Sequence, residues 1–355
     1  MSTQQTGHVG KRQQLLRKGE PTIPLKMRIK TLDELKAHLQ KAIEVEHSTI
    51  PPYLCALYSI KDGYNREAAQ IIKSVVLEEM LHMILAANVL NAIGGEPILT
   101  YPKFVPKYPK APLFSFPVHL EKFSKPAIET FLKIERPERP TKKHDSLKPR
   151  TIAEFYELVE QGLKDLRKDK IFTGSPARQI IPEYYYGGGG QSIPVHNLET
   201  ALLALNEIIG QGEGIHHTIF DGDQEEFGEK VEEFAHYFRF NEIYKEQRYT
   251  DHDTPTSGPS GEPLIVEWDQ VYPMQQDPKM ASYPKDSEVW RKSYEFNRTY
   301  MGLLHELHAA LNGEPKRMMQ SVVRMYDLKY RAVELMKIPI GNGKMTAGPS
   351  FEYVE

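Results

Sequence analysis

Cysteine is nearly absent: Cys55 stands alone, so no intrachain disulfide can form and no thiolate-rich metal centre can be built. Long apolar runs are missing too. Nothing approaches the roughly 18 consecutive apolar residues of a membrane span, and no apolar segment follows the basic stretch at 11–18 as a secretory signal would require. Charge of either sign is not in excess. The 45 Lys and Arg against 48 Asp and Glu leave a net charge of -3, so nothing draws the chain electrostatically to nucleic acid or to an anionic membrane. The four glycines at 187–190 are not followed by Lys-Ser/Thr, which excludes a phosphate loop. What remains is ordinary globular composition, with 40% hydrophobic residues over 355 positions and 13 His. These features predict a cytoplasmic protein in which any metal site is made of His and carboxylate.

Residues 1–30 read as a polar, flexible leader with Pro21 and Pro24, and 31–355 as one helical domain. Thr31-Leu32-Asp33-Glu34 has the form of a capping box, and apolar residues recur at helical spacing from Leu32 to Leu57. Pro51-Pro52 should kink or divide that helix. A second helix is expected from about 65 to 91, stopped by Gly94-Gly95 and Pro97. Residues 97–195 look like an insertion, irregular and Pro- and Lys-rich to about 150, with one short helix near 125–135 and another at 151–168. Tyr184-Tyr185-Tyr186 and the glycines form a loop. Helical periodicity returns at about 197–220 and 224–246. The Pro-, Ser- and Gly-rich stretch 248–286 is a second long insertion, of the kind that is functional or disordered. Two C-terminal helices follow, about 287–312 and 316–337.

Glu79 and His82 form a Glu-x-x-His on the second helix, and Glu233 and His236 form another. On a helix, residues i and i+3 share a face. In carboxylate-bridged di-metal bundles, two helices each give such a pair and two others each give one Glu. Glu46 and Glu213 complete that set here. The spacing agrees: Glu46 and Glu79 are centred on Asp62-Gly63, and Glu213 and Glu233 on Asp223, so each hairpin sets its acids level. Their apolar neighbours point these carboxylates into a core, where unpaired acids cost several kcal/mol each. Two divalent cations would balance four carboxylates, and imidazole with carboxylate suits Fe, with Mn as the alternative.

Several other residues have blander readings. Glu213-Gly214-Ile215-His216 is a third Glu-x-x-His, so His216 is a candidate ligand or acid/base group, with a satisfied core histidine as the default. Glu44 and Glu78 suit solvated or supporting roles, and His47 and His217 should face away from the ligands. Tyr53, Tyr58 and Tyr237 read as core, and His305 and His308 as parts of a packing helix. Gly210, Gly212 and Gly214 are costly in a helix, about 1 kcal/mol each, and suggest a bulge, a close contact or room for a substrate.

The segments AIEVEHSTIPPYLCALYSI (42–60), IIKSVVLEEMLHMILAANVLNAIGGEP (71–97), EFAHYFRFNEIY (233–244) and GPSFEY (348–353) resemble the ferritin-like domain of iminophenyl-pyruvate dimer synthase, an enzyme of bisindole pigment pathways. The resemblance implies a mainly α, ferritin-like four-helix bundle with additional C-terminal helices and long Pro-rich loops. Position by position it carries metal-ligand roles onto Glu46, Glu79, His82 and His236, with Glu233 three residues before the last. It further implies a di-iron-type oxidoreductase for a small amino-acid-derived or imine-type substrate, performing oxidative coupling or hydroxylation in secondary metabolism. Dioxygen or peroxide would be co-substrate, with an external reductant, and a homo-oligomer is compatible. The alternative is a non-catalytic iron-handling protein, against which the long insertions weigh.

Overall fold

The computed structural model describes residues 28–110, 114–137, 151–167, 170–214, 218–221 and 233–355. Its first helix, α1 (Leu32–Ser59), starts where the Thr31 hydroxyl accepts the Glu34 N–H at 3.2 Å. The Glu34 carboxylate in turn accepts the Lys30 N–H at 2.8 Å. Pro51 and Pro52 lie inside α1 without dividing it. A proline at 52 cannot donate to the Ser48 carbonyl one turn back; the Tyr108 hydroxyl does so instead, at 2.8 Å. A side chain from another segment therefore repairs the break that the sequence leads one to expect.

Helix α2 (Arg66–Ala92) returns antiparallel beside α1, and this hairpin is the centre of the molecule. By length and apolarity α2 could cross a membrane, but 89% of its apolar window is buried inside the fold, as befits a core helix. Asn65 holds the turn between the two helices in the left-handed region, at φ 47°. Its side-chain amide bonds both backbone groups of Glu267, at 2.8 and 2.9 Å.

Four short helices complete the bundle. They are α3 (Lys125–Ile134) and α4 (Ile152–Leu166), followed by α5 (Leu198–Glu213) and α6 (His236–Lys245). Helix α4 packs on α5, and α3 packs on α6. The third and fourth bundle positions are thus each filled by two pieces. The stretch read from sequence as an insertion supplies the third position. Ile29, at the end of the leader, is buried against Gly162 of α4.

The fourth position departs from the expected 197–220 and 224–246. Gly214, at φ 89°, ends α5 in a conformation that side chains rarely adopt. Residues 233–235 are extended, with Phe234 bridged to Phe220, so α6 begins only at His236. On the far side of the hairpin, α7 (Glu288–Leu311) and α8 (Met318–Met336) pack on each other and on α1 and α2. A two-stranded ribbon, β1 (Pro339–Ile340) and β2 (Met345–Thr346), follows.

Candidate metal centre

The inner face of the α1–α2 hairpin carries Glu46, Thr49, Tyr53, Glu79 and His82, all buried. Glu135 caps the end of α3, and His236 opens α6. Two groups of potential ligands result, Glu46–Glu79–His82 and Glu79–Glu135–His236, with Glu79 common to both. His82 Nδ1 lies 3.6 Å from Glu46 Oε2 and 3.9 Å from Glu79 Oε1. His236 Nδ1 lies 3.0 Å from Glu79 Oε1 and 3.4 Å from Glu135 Oε2. The two rings are stacked, 5.4 Å between centroids.

Each carboxylate has a fixed orientation. The Tyr156 hydroxyl, from α4, donates to Glu46 Oε1 at 2.5 Å, and the Tyr53 hydroxyl donates to Glu135. Thr49 donates to Glu79 Oε2 at 2.6 Å. Burial, reinforced by the neighbouring carboxylates, raises the pKa of both tyrosines well above 10, so they remain donors. The imidazoles are held from behind. His236 Nε2 lies 2.9 Å from Glu78 Oε2, and His82 Nε2 lies 2.8 Å from Gln211 Oε1. Both Nε2 atoms therefore act as donors, which leaves both Nδ1 atoms as the ring nitrogens that face the carboxylates.

Three acids this close cannot all ionise easily. Burial first, then Glu135, and after them Glu46, push Glu79 up to about 7 against the relief given by His236. For Glu78 burial acts upward, but Arg239 and His236 outweigh it and hold the group at about 2. His236 itself is raised well above 6.5: burial favours the neutral ring, and Glu135, Glu78 and Glu79 together prevail.

A cation fits this arrangement on grounds of the residues alone. His236 Nδ1 is fully buried and makes no hydrogen bond of acceptable angle, although two carboxylate oxygens converge on it. Nitrogen and carboxylate donors aimed at a common point, with their outer atoms already satisfied, are what a transition metal of the iron or manganese kind uses. A small cavity, about 350 Å³ of open space, adjoins the cluster and is lined by Ile134, Ile152, Ala153, Ile208 and Gly212.

Four of the six residues expected as ligands, Glu46, Glu79, His82 and His236, are brought together. Glu233 is placed elsewhere: its side chain is 32% exposed and pairs with Arg239 at 3.1 Å. The i, i+3 rule requires helix between the two residues, and Glu233 precedes the start of α6. The side chain of Glu213 and all of His216 and His217 lie outside the described residues, although Glu213 ends α5 beside the cavity. Glu135 is the residue that motif reading misses. Its one sequence signal is that it continues the apolar stripe Ile128–Phe131 by one further turn. Glu78, given a solvated or supporting role from sequence, stands behind His236, whereas Gln211 belongs to no motif.

The sequence profile of the ferritin-like family matches residues 39–245, more than half of the chain. The chain belongs to the ferritin-like family. The match spans all the helices that hold the centre, α1 to α6. Among curated proteins, this ferritin-like chain is similar to dichlorochromopyrrolate synthase of Lentzea aerocolonigenes, at 22% identity over 79% of this chain. It is also similar to 2-imino-3-(indol-3-yl)propanoate dimerase of Chromobacterium violaceum, at 27% identity over 53% of it. The chain spans 29% and 21% of the length of those two relatives. Among solved structures, a ferritin-like protein from Caulobacter vibrioides aligns with a TM-score of 0.61 at 23% identity, covering 91% of this chain and 99% of that one. That likeness includes the fold beyond the bundle, since 91% of the chain cannot be covered without α7 and α8.

Proposed function

We propose that this ferritin-like chain binds two metal ions of the iron type and is an oxidoreductase acting on a small amino-acid-derived or imine-type substrate. The observation that carries the reading is the sharing of Glu79 between two buried ligand groups, each completed by its own carboxylate and its own imidazole Nδ1. With Glu79 in common, Glu46 and His82 would hold one cation and Glu135 and His236 the other, as in carboxylate-bridged helical bundles. Glu213 is added to the set on its position at the end of α5 alone. Reduced metals in such a set supply electrons to dioxygen or peroxide.

The chain's own residues account for the rest. Tyr156, Tyr53 and Thr49 fix the carboxylates, while Gln211 and Glu78 fix the imidazoles. Ile134, Ile152, Ile208 and Ile209 give the adjoining cavity apolar walls that keep water from a bound substrate. Similarity to a dichlorochromopyrrolate synthase and to a 2-imino-3-(indol-3-yl)propanoate dimerase supports an aromatic imine and oxidative coupling as the outcome. With a single cysteine, the chain would draw electrons from an external reductant.

Protein produced with iron should contain about two iron ions per chain, and Glu79→Ala/His82→Ala should lose them. The ferrous protein should consume oxygen when given an aromatic amino-acid imine. No metal after anaerobic ferrous reconstitution would sink the reading. Metal binding without oxygen uptake on any such imine would leave an iron-handling protein.

A further inference from the structure

Among the described residues, the two halves of the centre correspond group by group except in one place. Each half owns one carboxylate, Glu46 or Glu135, and shares Glu79. Each owned carboxylate accepts a tyrosine hydroxyl, from Tyr156 or Tyr53. Each half presents one imidazole by Nδ1. The difference lies at the far nitrogen. Behind His236 stands the carboxylate of Glu78, 2.9 Å from Nε2, its two oxygens gripped by the Arg239 guanidinium. Behind His82 stands the amide of Gln211, 2.8 Å from Nε2.

The orientation of that amide is determined. Gln211 Nε2 donates to the Gly189 carbonyl and to Glu207 Oε1, each at 3.2 Å, so its oxygen must be the atom that faces His82. One imidazole therefore donates its N–H to an anion and the other to a neutral amide. A carboxylate behind an imidazole draws on its proton and makes the opposite nitrogen a stronger donor to a metal, and losing such a partner typically costs 10- to 100-fold in affinity. Arg239 does not cancel this, because it is shared among Glu78, Asp221 and Glu233.

We propose that the two metal positions are unequal by construction: the Glu79–Glu135–His236 position binds more tightly and fills first, with Glu78 as its positioning residue, and the Glu46–Glu79–His82 position, positioned by Gln211, fills second. This rests on the two-metal reading above. An unequal pair would hold one metal permanently while the other is exchanged or reloaded, a distinction that the five ligands alone would not create.

The test is an anaerobic titration of the metal-free full chain with Co²⁺, followed by its visible absorption, with circular dichroism and thermal unfolding as controls of folding. Wild type should bind in two steps differing at least ~10-fold in affinity. Glu78→Gln should weaken the tighter step by roughly 10- to 100-fold and leave the weaker one in place. Gln211→Met, which leaves the Arg239 network untouched, should weaken only the second step, so the test survives if Glu78→Gln misfolds. Two steps of equal affinity in wild type, or a Gln211→Met variant that moves the tighter step, would overturn the inference while the two-metal reading stands. A wild type that binds no cobalt would overturn that reading itself.

Discussion

The two faces of the α1–α2 hairpin differ sharply, although they are built from adjacent residues. Glu46 faces inward and His47 outward; Glu79 faces inward and Met80 outward. The outer face, with α7 and α8, borders about 780 Å³ of open space whose walls include Met80, Met83, Leu304 and Met318. His47 there is as deeply buried as His236 on the inner face. Burial drives His47 down to about 3, with only partial relief from the Phe104 backbone. His236 moves the opposite way because three carboxylates surround it. Burial disfavours the charged form of both rings, and the partners decide the sign. The inner face is thereby prepared for cations and the outer face for apolar groups.

The largest expected effect comes from emptying the inner face of its one guanidinium. Arg239→Met removes the guanidinium that pairs with the buried Glu78 and Asp221. Removing one partner of a buried ion pair costs about 3–5 kcal/mol, so the urea midpoint of the metal-free chain should fall sharply. An unchanged midpoint would mean that these acids are solvated and not buried.

The next effect concerns pH, and the two faces should respond oppositely. On the outer face, unfolded His47 takes a proton below about 6.5 that the folded protein refuses until about 3, so stability falls on acidification through that interval. On the inner face of the metal-free chain, folded Glu79 keeps its proton from the usual 4.5 up to about 7, so stability falls as pH rises through that interval. His82 and His236, both raised, add to the loss above 6.5. The contribution is at most roughly 5 kcal/mol for His47 and roughly 3 kcal/mol for Glu79. Denaturation curves across pH should show His47→Gln losing less stability on acidification from 6.5 to about 3, and Glu79→Gln losing less as pH rises from 4.5 to about 7. Metal loading should reverse the inner limb, because ligand deprotonation makes affinity grow with pH. If Glu79→Gln and wild type share one pH profile without metal, the carboxylate crowding is not what the structure implies.

The inner face was legible in the sequence wherever a continuous helix carried the pattern. Glu46, Glu79 and His82 sit on long helices whose capping, apolar stripe and breaker could all be read, and the hairpin spacing set them level. His236 was found from the same Glu-x-x-His form, but its expected partner was not where the form placed it, since no helix joins Glu233 to it. Glu135 escaped because one glutamate at the end of a ten-residue helix, inside a Pro- and Lys-rich stretch, has no partner at fixed spacing. Interrupted helices hide ligands: their registers restart at each break, and only tertiary packing aligns them. The three close glycines at 210, 212 and 214 suggest a bulge, a close contact or room for a substrate in a helix running to about 220; Gly214 instead ends that helix.

A smaller change distinguishes the carboxylates' own supports. Tyr53→Phe removes the donor to Glu135, and Tyr156→Phe the donor to Glu46. A hydrogen bond to a charged group is worth about 1.5–3 kcal/mol, and the metal-free chain should lose stability of that order, by thermal unfolding, in each variant. Bound metal would offset the charge of the same carboxylates through their other oxygens, so the deficit should shrink on loading. A deficit that persists at full size with metal bound would place the tyrosines in packing alone.

The smallest effect tests whether the inner cavity is room or merely imperfect packing. Gly212 lies within α5 and lines that cavity, and among the described residues nothing stands within 4 Å of a Cβ built there. An alanine in a helix is favoured over glycine by up to about 1 kcal/mol. Gly212→Ala should therefore raise the melting temperature slightly and leave metal content unchanged. Gly212→Leu, reaching further from the same point, should keep the metals but exclude the substrate, raising KM for the imine more than it lowers kcat. A chain that is stabilised yet loses metal would show that the cavity belongs to the ligand shell. One that is destabilised by the single methyl group would show that the space is filled.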